Sequence, residues 1–350
     1  MSRLTATTRL AAAAAATALV LTACGNDAED QGTEDTSNGE QAQSYSIGVT
    51  QIVSHPALDA AREGFKDAFD DAGIEVQWDE QNAQNDQATA SNIAGTFASA
   101  DLDLIYAIAT PTAQASAQQI TDKPIVFSAV TDPEEAGLVA SWDEPGGNVT
   151  GASDMNPVAE QLDLLLEIMP DAETVGVVYS SGETNSAVQV DLLKEAAAEL
   201  GLEVQEAAIS ASSEVQQGVE SLDVDAIYVP TDNAVVSALE AVIQYGQQND
   251  VPVIPADTDS VIRGGVATYG IDYYGLGRQA GDMAISILQD GEEPGSMPVA
   301  TSSELTLIVN PEAADAMGIE LPEAVLERAD EVVGEDVEAE DPADAGEEDS

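Results

Sequence analysis

Positive charge is scarce in this chain: 9 lysines and arginines stand against 66 aspartates and glutamates, a formal net charge of −57 over 350 residues. Such a balance repels polyanions at long range, which excludes nucleic acid and anionic lipid surfaces as binding partners. Histidine occurs once, as His55, and cysteine once, as Cys24. A lone histidine before Pro56 at the start of a helix reads as a cap or ligand contact, so no Ser-His or Cys-His nucleophile pair is in sight. With one cysteine there is also no thiolate-histidine cluster for a metal. Carboxylates are so abundant that a pair of them discriminates nothing. The reading is of a protein without catalytic residues, metal or cofactor.

Long apolar runs are also missing, save Leu10 to Leu21, which is too short to span a bilayer as a stable helix. It follows Arg3 and Arg9 with no acid before it, the layout of a signal peptide over residues 1–23. Leu21, Thr22 and Ala23 before Cys24, with Gly25 after it, resemble the lipobox of bacterial lipoproteins, which makes Cys24 the site of lipidation. The expectation is a membrane anchor, with the folded part outside the cytoplasm on the face of a bacterial membrane. Residues 24–43 read as an acidic flexible stalk and residues 329–350 as an acidic disordered tail.

Between residues 44 and 328, short β-branched runs alternate with helix-period segments, the pattern of parallel α/β units. In the first set SIGVT (46–50), IEVQW (74–78), DLIYAIA (103–109) and PIVFSAV (124–130) read as strands. Ala61, Phe65, Ala68, Phe69 and Ala72 recur at helical spacing between the first two, and helices are expected near 86–99 and 112–120. After the loop DEPGGNVTG (143–151), a second set holds TVGVVYS (174–180), LEVQEAAI (202–209), DAIYVP (225–230), PVIP (252–255) and GVATYG (265–270). DLDLIYAIATP (101–111) and DVDAIYVPTDN (223–233) share D-x-D-x-I-Y at corresponding points of the two sets, which suggests two similar lobes. The fold class is therefore α/β: two doubly wound parallel-sheet lobes joined by a three-segment hinge near 131–155, 270–273 and 296–303. The first lobe is expected to span 44–131 plus about 273–298, and the second about 132–272 plus 299–328.

Open parallel sheets bind ligands at the carboxyl ends of their strands. There the first lobe offers Thr50, Gln51, Thr110, Thr112, Ser128, Thr131 and Asp132. The second offers Tyr179, Ser180, Glu183, Asn185, Ser186, Thr231, Asp232, Asn233, Asp257 and Asp272. Each of these is as well suited to capping a helix as to touching a ligand. Together they suit a small zwitterion, whose carboxylate helix amides and hydroxyls can hold and whose ammonium a carboxylate such as Asp232 can hold. Tyr179, Tyr273 and Tyr274 are candidates for an apolar slot. Glycines at 275, 277 and 281 are out of step with a dinucleotide fingerprint and read as close helix packing.

Seven segments together resemble one family: TQIVSHPALDAAREGFKDAF (50–69), AIATPTAQ (107–114), IVFSAVTDP (125–133), PGGNVTG (145–151), GVVYSSGETNS (176–186), DAIYVPTDN (225–233) and YGIDYYGLGRQAGDMA (269–284). It is the family of ABC-transporter substrate-binding lipoproteins of the type I periplasmic-binding fold, whose better-known members take up tryptophan or other aromatic amino acids. The resemblance implies a receptor that closes on a small-molecule ligand and presents it to an ABC permease driven by a cytoplasmic ATPase. It places the ligand near Gln51, His55, Thr110, Pro111, Ser128, Thr131 and Asp132 in one lobe. From the other lobe it draws Tyr179, Glu183, Asn185, Ser186, Thr231, Asp232, Asn233 and Asp257. Receptors for an aliphatic amino acid, a nucleoside or a sugar, and a surface lipoprotein without a transport role, are the alternatives. A transcription regulator is opposed by the signal peptide, the net charge and the lack of a basic helix-turn-helix segment.

Overall fold

The computed structural model describes residues 44–302 and 305–334. The signal peptide, Cys24, the stalk and all of the tail beyond residue 334 lie outside the described residues. Among the described residues no helix is long and apolar enough to cross a membrane.

The first layer follows the expected alternation. It runs β1 (Tyr45–Gln51), α1 (Pro56–Asp71), β2 (Val76–Asn82), α2 (Gln87–Ser99), β3 (Leu104–Ile108), α3 (Thr110–Gln119), β4 (Ile125–Ser128) and β5 (Val149–Ser153). The chain then crosses over and repeats the pattern. This half holds α4 (Val158–Ile168), β6 (Thr174–Ser180), α5 (Thr184–Leu200), β7 (Glu203–Ile209), α6 (Val215–Glu220), β8 (Ala226–Val229), α7 (Asn233–Val236), α8 (Leu239–Asn249), β9 (Val253–Pro255), α9 (Thr258–Ile262) and β10 (Ala267–Gly270). It returns with α10 (Tyr273–Ile285) and β11 (Ala300–Thr301), and finishes in β12 (Thr306–Val309), α11 (Pro311–Ala316), α12 (Glu323–Arg328) and β13 (Glu331–Val332).

The strand orders β2-β1-β3-β4 and β7-β6-β8-β9 are the same when read in parallel, and all pairs in both are parallel. This is the doubly wound order in which a crevice opens where the winding reverses. The repeated D-x-D-x-I-Y segments are β3 and β8, equivalent central strands, and each buries its tyrosine completely. Tyr106 donates to the Ala61 carbonyl or shares a proton with Ser128 Oγ, while Tyr228 donates to Gln161 Oε1. A buried phenol that lacked such a partner would cost more than its ring gains, so each lobe supplies one.

Separate apolar cores lie under the two sheets. The first is built on rings: Phe65 stacks on Tyr106 at 3.7 Å, and Phe69 and Trp78 pack edge-on beside them. Helix α10 returns to this core and lies against α1 so closely that a Cβ on Gly277 would stand 2.0 Å from the Ala61 carbonyl oxygen, and one on Gly64 would stand 2.1 Å from that of Tyr274. The close-packing reading of the glycine segment is the one the helices adopt.

Three details differ from expectation. Val149–Ser153, read as part of a loop, is strand β5 of the first sheet, so the chain leaves the first lobe after Ser153 and not at 131. Its glycine disguised it: Gly151 has φ +158, and a Cβ there would lie 2.1 Å from the Phe127 carbonyl oxygen. β10, expected to complete a parallel run, pairs antiparallel with β12, and β13 completes a separate three-stranded sheet. Residues 329–334, assigned to the tail, belong to the fold, because the Asp330 amide donates to the Leu307 carbonyl, its carboxylate accepts from the Leu307 amide, and Val333 N–H reaches Val309 O.

Candidate functional site

The carboxyl ends of β1, β3 and β4 face those of β6, β8 and β9, and a narrow, partly open cavity lies where they meet. One side of its wall is His55, Ala57, Leu58 and Ala129; the other is Asn185, Thr231, Asn233, Val236 and Asp257. Asp154 and Tyr273, from two of the crossover segments, complete it. A cavity mixed in polarity and shared between lobes is the kind of place that takes a single small molecule.

Each wall residue is held by local sequence. Pro56 starts α1 with its fixed φ, and no side chain caps that helix, so the first-turn amides of Ala57 and Leu58 stand at the cavity at the positive end of the helix dipole. Ala129 turns the chain off β4 with φ 54, as Ala109 does off β3 with φ 80. Non-glycine residues in that region cost about 1–3 kcal/mol each, and strain of this kind concentrates at sites where the backbone path matters more than stability. Asp257 caps α9 through the Ser260 amide at 2.8 Å and hydroxyl at 2.6 Å. Asp154 accepts from Tyr273 Oη at 2.8 Å and Thr131 Oγ1 at 3.2 Å.

The electrostatics are one-sided, since no lysine or arginine lines the cavity. Burial pushes Asp154 up to about 6, against the pull of its bonds to Tyr273 and Thr131. Burial keeps His55 below its ordinary value and therefore neutral near pH 7, in spite of the Asp257 charge. Burial and then the Asp154 charge raise Tyr273, so it stays a donor. What such a cavity can do is hold a cationic group against carboxylates while offering helix amides to an anionic one.

The expected contacts divide into two groups. His55, Asn185, Thr231, Asn233 and Asp257 are brought together on the wall. The others support it or lie apart. Gln51 is used up within its own loop, donating to Val53 O and Asp59 and accepting from Arg62. Ser128 is bonded to Tyr106, Thr131 to Asp154, and Asp132 caps the Glu134 and Glu135 amides. Thr110 is buried in the first turn of α3 with an unpartnered hydroxyl, outside the cavity wall. Asp232, the expected ammonium partner, is fully buried and accepts from the Ser180 and Val235 amides and the Ser186 hydroxyl, so it caps α7 and fixes β6. Glu183 holds Asn185 and Asn233 together, and burial with the neighbouring Asp232 charge raises it to about 7. Pro111 and Glu183 line a second cleft with Gln87 and Ser210. Tyr179 is half-buried at the edge of the second core, and Tyr274 donates to Asp67 away from the cavity. Asp154 is the residue the strand-end reading missed. It follows β5, the strand that was not recognised, and only that strand reveals it as a strand-end residue.

Direct bonds join the lobes around the cavity: Gln189 of α5 to Thr131 Oγ1 at 3.4 Å, Gln87 to Gly182 O at 2.7 Å and Gln114 to Thr184 Oγ1 at 3.3 Å. The same Gln189 amide also binds Thr231 Oγ1 and, through its oxygen, the Thr231 amide.

The family model for ABC transporter substrate binding proteins matches residues 46–333, almost the whole described chain. The chain belongs to that family. The family works outside the cytoplasm, taking a small-molecule ligand and delivering it to a permease with its ATPase. A tyrosine-binding protein of Clostridioides difficile (strain R20291) is 41% identical over 307 residues, covering 86% of this chain and 89% of its own. The structure of the ABC domain from Streptococcus pneumonia in complex with L-Trp is 36% identical with a TM-score of 0.80, over 83% of this chain and all of that one. The ligand-free, open structure of a Clostridium difficile substrate binding protein with adhesive properties is 45% identical, yet its TM-score is 0.63, over 83% of this chain and 99% of that one. The more similar sequence is thus the less similar shape. This substrate-binding protein is nearer in shape to the L-Trp complex than to that open structure, and bonds cross between its lobes.

Proposed function

We propose that this protein captures an aromatic amino acid between its lobes at the outer face of the membrane, anchored through a lipid on Cys24, and presents it to an ABC permease. The observation that carries the reading is the shared cavity, which Asp154, Asp257 and the uncapped start of α1 all line with no basic side chain among them. The ammonium goes to the two carboxylates and the carboxylate to the Ala57 and Leu58 amides. Leu58, Val236 and Ala129 supply apolar surface for the ring. The names of two relatives, one tyrosine-binding and one in complex with L-Trp, agree with this cargo. Ligand favours the closed state because only there do both lobes touch it. The protein itself carries out no reaction in this scheme.

Calorimetry of the purified protein against tyrosine, tryptophan, phenylalanine, leucine, a nucleoside and a sugar tests the reading. Micromolar or tighter binding of an aromatic amino acid is expected, and Asp154→Asn should weaken it by roughly thirtyfold or more, because a buried ammonium then loses its charged partner. Binding of another solute with silence toward the amino acids would discard the cargo, and silence throughout would discard the receptor. Labelling of the whole cell product with a radioactive fatty acid, lost on Cys24→Ser, checks the anchor.

A further inference from the structure

Asn185, in the first turn of α5, is 3% exposed and lies on the cavity wall. Its amide nitrogen donates to the Thr231 carbonyl at 3.0 Å, to Glu183 Oε2 at 3.1 Å and to Ser186 Oγ at 3.4 Å. A carbonyl accepts and never donates, so the nitrogen has to face Thr231, and rotating the amide to exchange its two ends would set two acceptors against each other. The other end of the group is thereby determined. Its Oδ1 is buried and meets no donor from the protein. A buried acceptor left without a partner is costly, and at a cavity wall the partner that remains is the ligand.

The ligand's ammonium is already provided for by Asp154 and Asp257, which bind a cation better than a neutral oxygen does. We propose that Asn185 Oδ1 accepts a hydrogen bond from the ring of the bound amino acid, so that the protein selects aromatic side chains bearing an O–H or N–H donor, tyrosine or tryptophan, over phenylalanine. This rests on the aromatic amino acid reading above and deepens it. Glu183 acts here as a positioning residue: it binds the Asn185 amide and is itself held by the Asn233 side chain and the Asn233 and Ala234 amides. A site built around a fixed acceptor rejects the analogue that leaves it empty-handed far more strongly than an apolar pocket distinguishes sizes.

Dissociation constants of the full chain for L-tyrosine, L-tryptophan, L-phenylalanine and O-methyl-L-tyrosine, for the native protein and for Asn185→Leu, decide the matter. Native protein should prefer tyrosine or tryptophan to phenylalanine by at least about tenfold, and O-methyl-L-tyrosine, which keeps the oxygen and loses the donor, should fall with phenylalanine. Asn185→Leu should bring the tyrosine to phenylalanine ratio close to one, by weakening the first and strengthening the second. Native affinity for phenylalanine equal to that for both tyrosine and tryptophan overturns the proposal and leaves the aromatic reading standing. An unchanged ratio in a folded Asn185→Leu protein also overturns it. Failure of every aromatic amino acid to bind removes both. Should Asn185→Leu not fold, the native protein's response to the four ligands is sufficient to decide.

Discussion

The two lobes share a strand order and differ in what fills them and in what their strand ends do. The first is packed with rings, Phe65, Phe69, Phe97, Tyr106 and Phe127, whereas the second is aliphatic, with Tyr228 as its fully buried ring. At the cleft the contrast continues. The first lobe leaves Thr50 Oγ1, Thr110 Oγ1 and His55 Nδ1 unpartnered and turns off its strands through two strained alanines. The second binds its polar groups to one another: Glu183 to Asn185 and Asn233, Asp232 to Ser186, Gln189 to Thr231, Asp257 to Ser260. Apart from Asn185 Oδ1, these wall groups satisfy one another and so hold their shape whatever faces them, while the unpaired groups and helix amides of the first lobe lack that support. The second lobe is thus the template, the more internally bonded face of the cleft.

The largest test of that contrast is in the cores. Phe65→Ala removes the ring stacked on Tyr106 and should cost about 4 kcal/mol, against about 3 kcal/mol for Leu165→Ala in the aliphatic core. Both tryptophans of the chain, Trp78 and Trp142, pack on the first core. Urea unfolding followed by tryptophan fluorescence therefore reports the first lobe, and circular dichroism reports both. If Phe65→Ala shifts the two signals equally, the lobes unfold as one unit and their difference in packing has no separate thermodynamic consequence.

A smaller effect concerns the template wall and pH. Glu183 is held at about 7 against its ordinary 4.5, because burial and the Asp232 charge oppose ionisation. The folded state thus keeps a proton that the unfolded chain releases. Its contribution is complete below about 4.5 and is lost as pH rises through about 7. Glu183→Gln, neutral at all pH, should flatten the fall in unfolding free energy over that interval, by an amount on the order of one to three kcal/mol. Asp154 and Asp259, each held at about 6 chiefly by burial, have the same sign and account for the slope that remains. An unchanged profile would mean that the wall carries no strain of charge.

The smallest expected change is at the seam. Gln189 spans the lobes from Thr231 to Thr131, and Gln189→Leu removes about 1 kcal/mol from the closed state, so ligand affinity should fall about fivefold with an increase in the radius of gyration of the free protein. A lower affinity with no change in size would show Gln189 to be a part of the wall and not a latch.

Much of this was legible in residue order. Helix α1 announces itself through Phe65, Ala68 and Phe69 at helical spacing, and the D-x-D-x-I-Y repeat marks equivalent strands because both lobes bury a tyrosine at the same depth. The strands that were missed or misplaced are those with weak patterns. β5 reads VTGAS, buried on both faces with a glycine at its centre, and β12 and β13 have four residues and two, too few for an alternation to show.

The site was legible as a neighbourhood and no further. Asp232 and Asp257 both follow a strand, both cap a helix and both look the same in sequence, yet the first is consumed by three donors from its own lobe and the second stands on the cavity wall. Composition and periodicity by themselves determined the α/β class, the duplicated lobes and the strand ends as the place to look, because burial acts on residue types wherever they fall. Which of the polar strand-end residues face a ligand was decided only in three dimensions. A Ser, Thr, Asp or Asn satisfies a helix end and a ligand with the same atoms, and only the arrangement of donors around each one determines which it does.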